Sequence, residues 1–230
     1  MRVAIVTAIW KREEVFGIFA RNAVKLINSV PEMELKVFCA GSQGEHSQGM
    51  AEAYGFDYVE VPNEPLYEKW NVAVRSAKAW QPDYVLMMGS DDVMSAKMLK
   101  RYLPSMMQRI DFIGCLDWTF YDLNSGKAIH WKGYNDTERR GKTVGAGRML
   151  SASLLDRLQW QPWAQQVNGE GMDGTMMRRL SRIGSYTKRA ITTGRELVVD
   201  IKSDTNITPF AQWPNSVFID PTKIKQEFGL

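Results

Sequence analysis

Long apolar runs, cysteine and histidine are all scarce in this sequence, and each shortage removes a class of protein. No apolar stretch in the 230 residues approaches the ~20 that a membrane-spanning helix needs. The only cysteines, Cys39 and Cys115, each close a strand-like run. They are expected as buried thiols, not as a disulfide framework. The only histidines, His46 and His130, are isolated and lack ligand spacing, which argues against zinc and for structural or solvated roles. Met1–Arg12 is short, β-branched and followed by charge, so it reads as a first strand and not as a signal peptide; a cytoplasmic location is the expectation. The loop after that strand, Thr7–Arg12, contains no glycine. That excludes a P-loop and a Rossmann dinucleotide fingerprint, both of which need glycine where the backbone approaches phosphate. There is no internal repeat, low-complexity segment or clear linker.

What is present fits one globular domain. Hydrophobic residues make up 44% and charged residues 24%, ordinary values for a soluble fold with a sizeable core. The net charge of +3 is unevenly spread. Residues 1–100 hold 11 Lys and Arg against 13 Asp and Glu, whereas residues 101–230 hold 18 against 13 and five of the eight tryptophans. A near-neutral first part and a basic, Trp-rich second part suggest different partners for the two.

Through about residue 115, strand and helix signals alternate, which predicts a parallel, doubly wound α/β sheet. Strands are expected at Arg2–Thr7, Leu35–Ala40, Phe56–Val61, Tyr84–Met88 and Phe112–Leu116. Helices are expected at Glu13–Val30, Gln48–Tyr54, Leu66–Ala79 and from Ser95 to a bend or stop near Pro104. Trp118–Trp131 then reads as a hairpin turning at Asn124-Ser125-Gly126, an antiparallel addition. Gly133–Gly145 is polar, basic and aperiodic, a mobile loop. Short helices follow at Ser151–Leu158 and Met172–Ile183, with a late strand at Glu196–Ile201. The tail from Thr208 shows little periodicity before a short C-terminal helix.

The most informative stretch is Asp83–Asp92, an apolar strand finished by Gly89-Ser90-Asp91-Asp92. Paired carboxylates at a buried strand end need a neutraliser, and Mg²⁺ or Mn²⁺ suits carboxylate oxygens while leaving room for phosphate. Ligands of open α/β sheets bind at this end of the strands. The plainer alternative is that Asp92 or Ser95 caps the next helix. In the first loop, Lys11 or Arg12 could meet a diphosphate and Trp10 could cover a base, or the loop is simply solvated. Lys69 and Asn71 stand near a nucleotide or pyrophosphate, or else are an exposed lysine and a satisfied helix residue. Gly145-Ala-Gly-Arg148 is a glycine-flanked approach to the short helix at Ser151, open enough for close backbone contact with a sugar. Asp173 lies among Gly169, Gly171 and Gly174 at a helix start; it is either a charge favoured by the helix dipole or a general base aimed into a cleft. Asp200 or Asp204 could add a metal oxygen, and Lys202 could offset phosphate charge.

Together these pieces resemble a GT-A-type glycosyltransferase, family-2-like in character, over roughly residues 2–206. The matching order is the Thr7–Arg12 loop, the Asn71 helix, the strand ending in Ser90-Asp91-Asp92 and the Gly-Met-Asp173 helix start. Ser90 takes a position that is often acidic. Ala8 stands where relatives often carry proline, and Gly41-Ser42 where they carry an aspartate for uracil. No histidine follows Asp173 as a third metal ligand, so Asp200 or solvent would substitute. The resemblance implies transfer from a nucleotide-sugar such as a UDP-sugar, with Asp92, Asp91 and Asp200 holding Mn²⁺ or Mg²⁺. It assigns Thr7, Ala8, Trp10, Arg12, Lys69, Asn71, Ser90, Asp91, Arg148 and Lys202 to the donor. Asp173 would be the base of an inverting reaction. Residues 1–117 would then bind the nucleotide-sugar and 118–230 the acceptor: a saccharide or lipid-linked glycan, or a hydroxymethylated base in phage-type DNA. For DNA, Arg139, Arg140, Lys142, Arg178, Arg179, Arg182, Lys188 and Arg189 would meet phosphates while Trp131 or Trp163 stacked on an extruded base. A sugar-nucleotidylyltransferase is the alternative enzyme, disfavoured by the glycine-free first loop; a catalytically inactive binding module is the alternative outside catalysis.

Overall fold

The computed structural model describes residues 1–167, 171–204, 206, 210–211 and 213–230. In chain order the elements are β1 (Arg2–Ala8), α1 (Glu13–Ser29), β2 (Glu34–Gly41), α2 (Glu45–Glu52), β3 (Asp57–Glu60) and α3 (Leu66–Ser76), which runs into a 3-10 turn at Ala77–Trp80. Next come β4 (Tyr84–Met87), β5 (Asp92–Met94), α4 (Ala96–Lys100), α5 (Leu103–Met107), β6 (Phe112–Cys115), β7 (Trp118–Asp122), β8 (Ala128–Trp131) and β9 (Arg148–Ser151). The chain ends with α6 (Ala152–Arg157), α7 (Met172–Arg182), β10 (Lys188–Ile191), β11 (Val198–Lys202), β12 (Ser216–Ile219) and α8 (Thr222–Phe228).

β1 is buried on both faces from Val3 to Val6, as a central parallel strand must be. Its period of two sends Val3 and Ile5 into one core with Phe16, Phe19, Ala23 and Leu26 of α1. Ala4 and Val6 enter the other, with Ala73 and Val74 of α3. Helices on both faces thus follow from one uninterrupted β-branched run. The main sheet has the order β10-β6-β9-β4-β1-β2-β3. Every pairing in it is parallel except those of β9, which runs antiparallel between β4 and β6. The second sheet, β12-β8-β7-β11-β5, is mostly antiparallel and is built largely from the later part of the chain. The expected mixed α/β architecture, mostly parallel with an antiparallel extension, is the observed one.

Four local expectations change. The helix from Ser95 is two short helices, with the Ser95 hydroxyl accepting from Met98 N at 3.1 Å as the cap. Asp92 begins a short strand instead of capping a helix. Arg148–Ser151 is strand β9, not a helix approach, because its backbone completes both β4 and β6. β10 and β12 are strands that no periodicity announced: β10 is exposed at Lys188, Arg189 and Ala190, so it lacks the apolar alternation that marks a strand. Both cysteines are buried free thiols. Among the described residues no helix is long and apolar enough to cross a membrane.

Candidate active site

β4 ends beneath a tight turn. The Asp92 amide donates to Gly89 O at 3.0 Å, and the Gly89 amide donates to Asp92 Oδ2 at 2.6 Å. A side chain at position 89 would collide with this arrangement: its Cβ would lie 2.5 Å from Asp91 Oδ1 and 2.8 Å from Asp92 Oδ2. Glycine is therefore what lets two adjacent carboxylates fold back over the strand end. β5 then pairs antiparallel with β11 in a register that sets Asp200 opposite Asp92. The late strand so delivers a third carboxylate to the same place.

These three carboxylates are unequally compensated. Asp91 Oδ2 accepts from Arg12 Nη1 at 2.8 Å and from Asn206 Nδ2 at 2.7 Å. Asp200 Oδ2 accepts from Lys202 Nζ at 2.7 Å, while its Oδ1 is buried with no partner. Burial, then the charge of Asp91, pushes the Asp200 carboxyl up to about 7 despite Lys202. Burial, followed by repulsion from Asp91 and Asp200, drives Asp92 well above the usual carboxylate range, with the Gly89 amide pulling the other way. An orphaned carboxylate oxygen among like charges fits a hard cation in donor chemistry. Among the described residues, however, no group of three or more His, Cys, Asp or Glu stands at spacing that would close on one ion.

Asp173 sits in the first turn of α7 with its side chain about half exposed. Arg148 Nη1 reaches it at 3.1 Å, while the rest of that buried guanidinium binds Thr143 Oγ1 at 3.3 Å and Thr143 O at 2.9 Å. Gly145 lies directly against the carboxylate: a Cβ there would come 2.5 Å from Asp173 Oδ2. Arg148 is thus committed to orienting Asp173, and is not free to meet phosphate.

Asp91, Asp92, Asp200 and Asp173 all line one cavity of about 400 Å³. Its remaining wall is dominated by aromatics: Trp70, Trp118, Phe120, Trp131, Tyr134, Trp163 and Trp213. Phe120 stacks on Trp213 at 5.0 Å between centroids, and Trp70 lies 5.3 Å from Trp163.

Several other residues singled out in the sequence do not line that cavity. Thr7 and Ser90 are buried, and the Thr7 hydroxyl has no partner. Ala8 closes β1 beside Ala40. Trp10 is 43% exposed, with Lys11 Nζ 4.6 Å from its ring centroid. Lys69 is neither solvent-exposed nor directed at the cavity: it is buried and its ammonium donates to Ile9 O at 2.7 Å and Asn63 Oδ1 at 3.0 Å, with burial lowering its pKa to about 8. Asn71 spends its amide on one backbone, donating to Trp163 O at 3.0 Å and accepting from Trp163 N at 3.1 Å. Asp204 accepts from Asn124 instead of joining the carboxylates. His130 is buried between Asp117, 3.3 Å away, and Thr119, 3.1 Å away, a structural histidine; His46 pairs with Glu13 on the surface. Gly169 lies outside the described residues. Sequence reasoning missed Asn206 as a partner of Asp91 and missed the aromatic wall as a unit. Its tryptophans come from segments far apart in the chain, so no spacing betrays them.

A strand-end acidic cluster, an antiparallel β9 within a mostly parallel sheet and a second sheet walling the same cleft make up a mixed α/β fold of GT-A-like type. No protein-family model matches the sequence, and no curated protein sequence matches it. Solved structures of Staphylococcus aureus TarS do match. TarS 1-349 superposes with a TM-score of 0.61 at 12% identity, covering 87% of this chain and 60% of that one. The same fragment in complex with UDP-GlcNAc gives 0.60 at 11% identity, covering 90% and 60%. A further TarS structure gives 0.62 at 12% identity, covering 87% and 37%. The chain therefore spans about 60% of the length of TarS 1-349, and at this identity the likeness is one of fold.

Proposed function

We propose that this chain is a nucleotide-sugar-dependent glycosyltransferase in which residues 1–117 chiefly serve the donor and residues 118–230 the acceptor, with Asp200 and Lys202 of β11 returning to the donor side. The observation that carries the reading is the single cavity lined both by the strand-end carboxylates Asp91, Asp92 and Asp200 and by the helix-start carboxylate Asp173. The likeness in fold to TarS crystallised with UDP-GlcNAc and with UDP supports a UDP-sugar as donor. Asp173, steered by Arg148, takes the proton from an acceptor hydroxyl as that oxygen attacks the anomeric carbon; the nucleoside diphosphate leaves from the opposite side, with inversion. Arg12 and Lys202, paired with Asp91 and Asp200, offset carboxylate charge at the place where the diphosphate charge develops, and would meet the diphosphate by exchanging those partners. Trp10, at the exposed end of the first loop, covers the base. Among the described residues Asp91, Asp92 and Asp200 do not stand at spacing that closes together on one ion. A Mn²⁺ or Mg²⁺ ion would therefore draw on Asp92 or the unpartnered Asp200 Oδ1, with solvent and diphosphate oxygens completing its shell, and would supply charge stabilisation to the leaving diphosphate. The aromatic wall suits the flat face of an acceptor ring, whether a sugar or a base.

The test is a screen of nucleotide-sugars with Mn²⁺, or with chelator, for release of nucleoside diphosphate, run without acceptor, with saccharides and with hydroxymethylated DNA. Metal-dependent release is expected. Asp173→Asn should lower transfer by at least about 100-fold while leaving UDP affinity within about twofold. Native rates in Asp173→Asn would refute the assignment of the base. Metal-dependent stabilisation by UDP without turnover from any donor would leave only a binding module. Pyrophosphate release from a nucleoside triphosphate and a sugar phosphate would instead establish a nucleotidylyltransferase.

A further inference from the structure

We infer that a basic strip beside the cavity binds a nucleic-acid backbone, so that the acceptor hydroxyl is carried on a nucleic acid. This rests on the transferase reading above and names its substrate class. Residues 174–195 contain six Lys and Arg and no Asp or Glu. Within that stretch Arg178 and Arg179 are engaged with backbone carbonyls of Gln165 and Leu158. Arg182, at the end of α7, and Lys188 and Arg189, on β10, are exposed. A second exposed basic group, Arg139, Arg140 and Lys142, sits in the loop whose continuation, Tyr134 and Val144 to Ala146, lines the cavity.

The topology makes these two groups neighbours. The rim loop is tied to β6 through Val144 N, which donates to Cys115 O at 2.8 Å, and through Thr143, which packs against Gly114. β10 pairs in parallel with β6, Arg189 opposite Ile113, and forms the outer edge of the sheet. One strand spacing, about 5 Å, therefore separates the β10 backbone from the strand that holds the rim loop. The acids near this strip are few. Asp136 pairs with Arg139, whereas Asp111 accepts only neutral donors from Thr187, Ser151 and Ser153 and so stays a negative charge at the foot of β10, as Glu138 does on the rim loop.

Charged residues on an edge strand also protect it from pairing with other chains. That accounts for Lys188 and Arg189 but not for Arg140 and Lys142 on the cavity rim. A phosphodiester backbone that follows the outer edge of β10, from which Lys188 and Arg189 leave on opposite faces, and then crosses the rim loop accounts for all of them, with one unit turning into the cavity toward Asp173. Trp131 and Tyr134, in edge-on contact at 4.8 Å inside that rim, provide aromatic surface for a base taken out of its stack.

The experiment is fluorescence anisotropy of a labelled DNA duplex and single strand with the full chain, without nucleotide-sugar, over a range of salt. Binding is expected to weaken with salt, with a log–log slope of about −5 if all six exposed cations meet phosphates of a duplex. The triple variant R182E/K188E/R189E should bind at least about tenfold more weakly at low salt. It should keep native release of nucleoside diphosphate from the donor, which shows that it is folded. No DNA binding by the native chain, or native-strength binding by the variant, overturns the inference; so does stronger binding to anionic lipid vesicles than to DNA. DNA binding without any donor turnover would sink the transferase reading and leave the surface standing. Donor turnover without DNA binding does the reverse.

Discussion

Replacing Asn71 by alanine separates a positioning role from a ligand role, because the structure gives its amide two bonds and both go to Trp163. The substitution leaves the Trp163 N–H and C=O without their partners at 3.1 and 3.0 Å, in a residue that is 5% exposed. Each buried unsatisfied backbone group costs about 1–3 kcal/mol, and partial access of water to the vacated space offsets some of it, so a loss of about 3 kcal/mol is expected. For a domain of this size, 1 kcal/mol shifts Tm by roughly 2–4 °C, giving a fall of about 6–12 °C. Asn71→Asp is the sharper control. It still accepts from Trp163 N but sets a carboxylate oxygen against Trp163 O, so its loss should be at least as large. Thermal unfolding with and without UDP is the assay, with UDP affinity measured separately at a temperature where both proteins are folded. UDP affinity should hold within about twofold, whereas the loosened Trp163 ring should raise KM for the acceptor. A variant that melts within about 2 °C of the native protein but binds UDP at least about tenfold more weakly would show that Asn71 touches the nucleotide, and would refute this reasoning.

Two further predictions concern the carboxylates. The Asp200 carboxyl is raised to about 7 in the fold, so its contribution to stability is full below the ordinary carboxylate range and is lost as pH rises through about 7. Without added divalent cation, Tm should fall between about pH 4 and 7 and level off above, and Asp200→Asn should flatten that fall; an unchanged slope in the variant would contradict the assignment. Gly145→Ala places a Cβ 2.5 Å from Asp173 Oδ2, which must turn the carboxylate away from Arg148. Transfer should drop at least about 100-fold with UDP affinity intact, and near-native transfer would show that the orientation held by Arg148 is irrelevant to the reaction.

The first half of the fold was legible because its signals are local. A buried parallel strand reads as a continuous apolar run, as Val3–Val6 does, and an amphipathic helix repeats at i, i+3 and i+4, as Phe16, Phe19 and Ala23 do. Gly89-Ser90-Asp91-Asp92 was likewise legible, since charge at the end of a buried strand needs a reason wherever the chain goes afterwards. β9 and β10 were not. Arg148–Ser151 is a strand only because β4 and β6 flank it, and Lys188–Ile191 only because β6 offers an edge; neither carries an alternation of its own.

By itself, then, the sequence determined the alternating α/β frame, the glycine that admits two adjacent carboxylates and the excess of positive charge in the later part of the chain. Tertiary structure decided which distant residues meet: Asp200 opposite Asp92 by strand register, Arg148 on Asp173, Asn71 on Trp163, and tryptophans from five separate segments around one cavity. The division has a physical cause. Secondary structure and charge are written at the spacing of neighbouring residues, whereas pairing register and side-chain commitments depend on contacts dozens of residues apart, which no local period encodes.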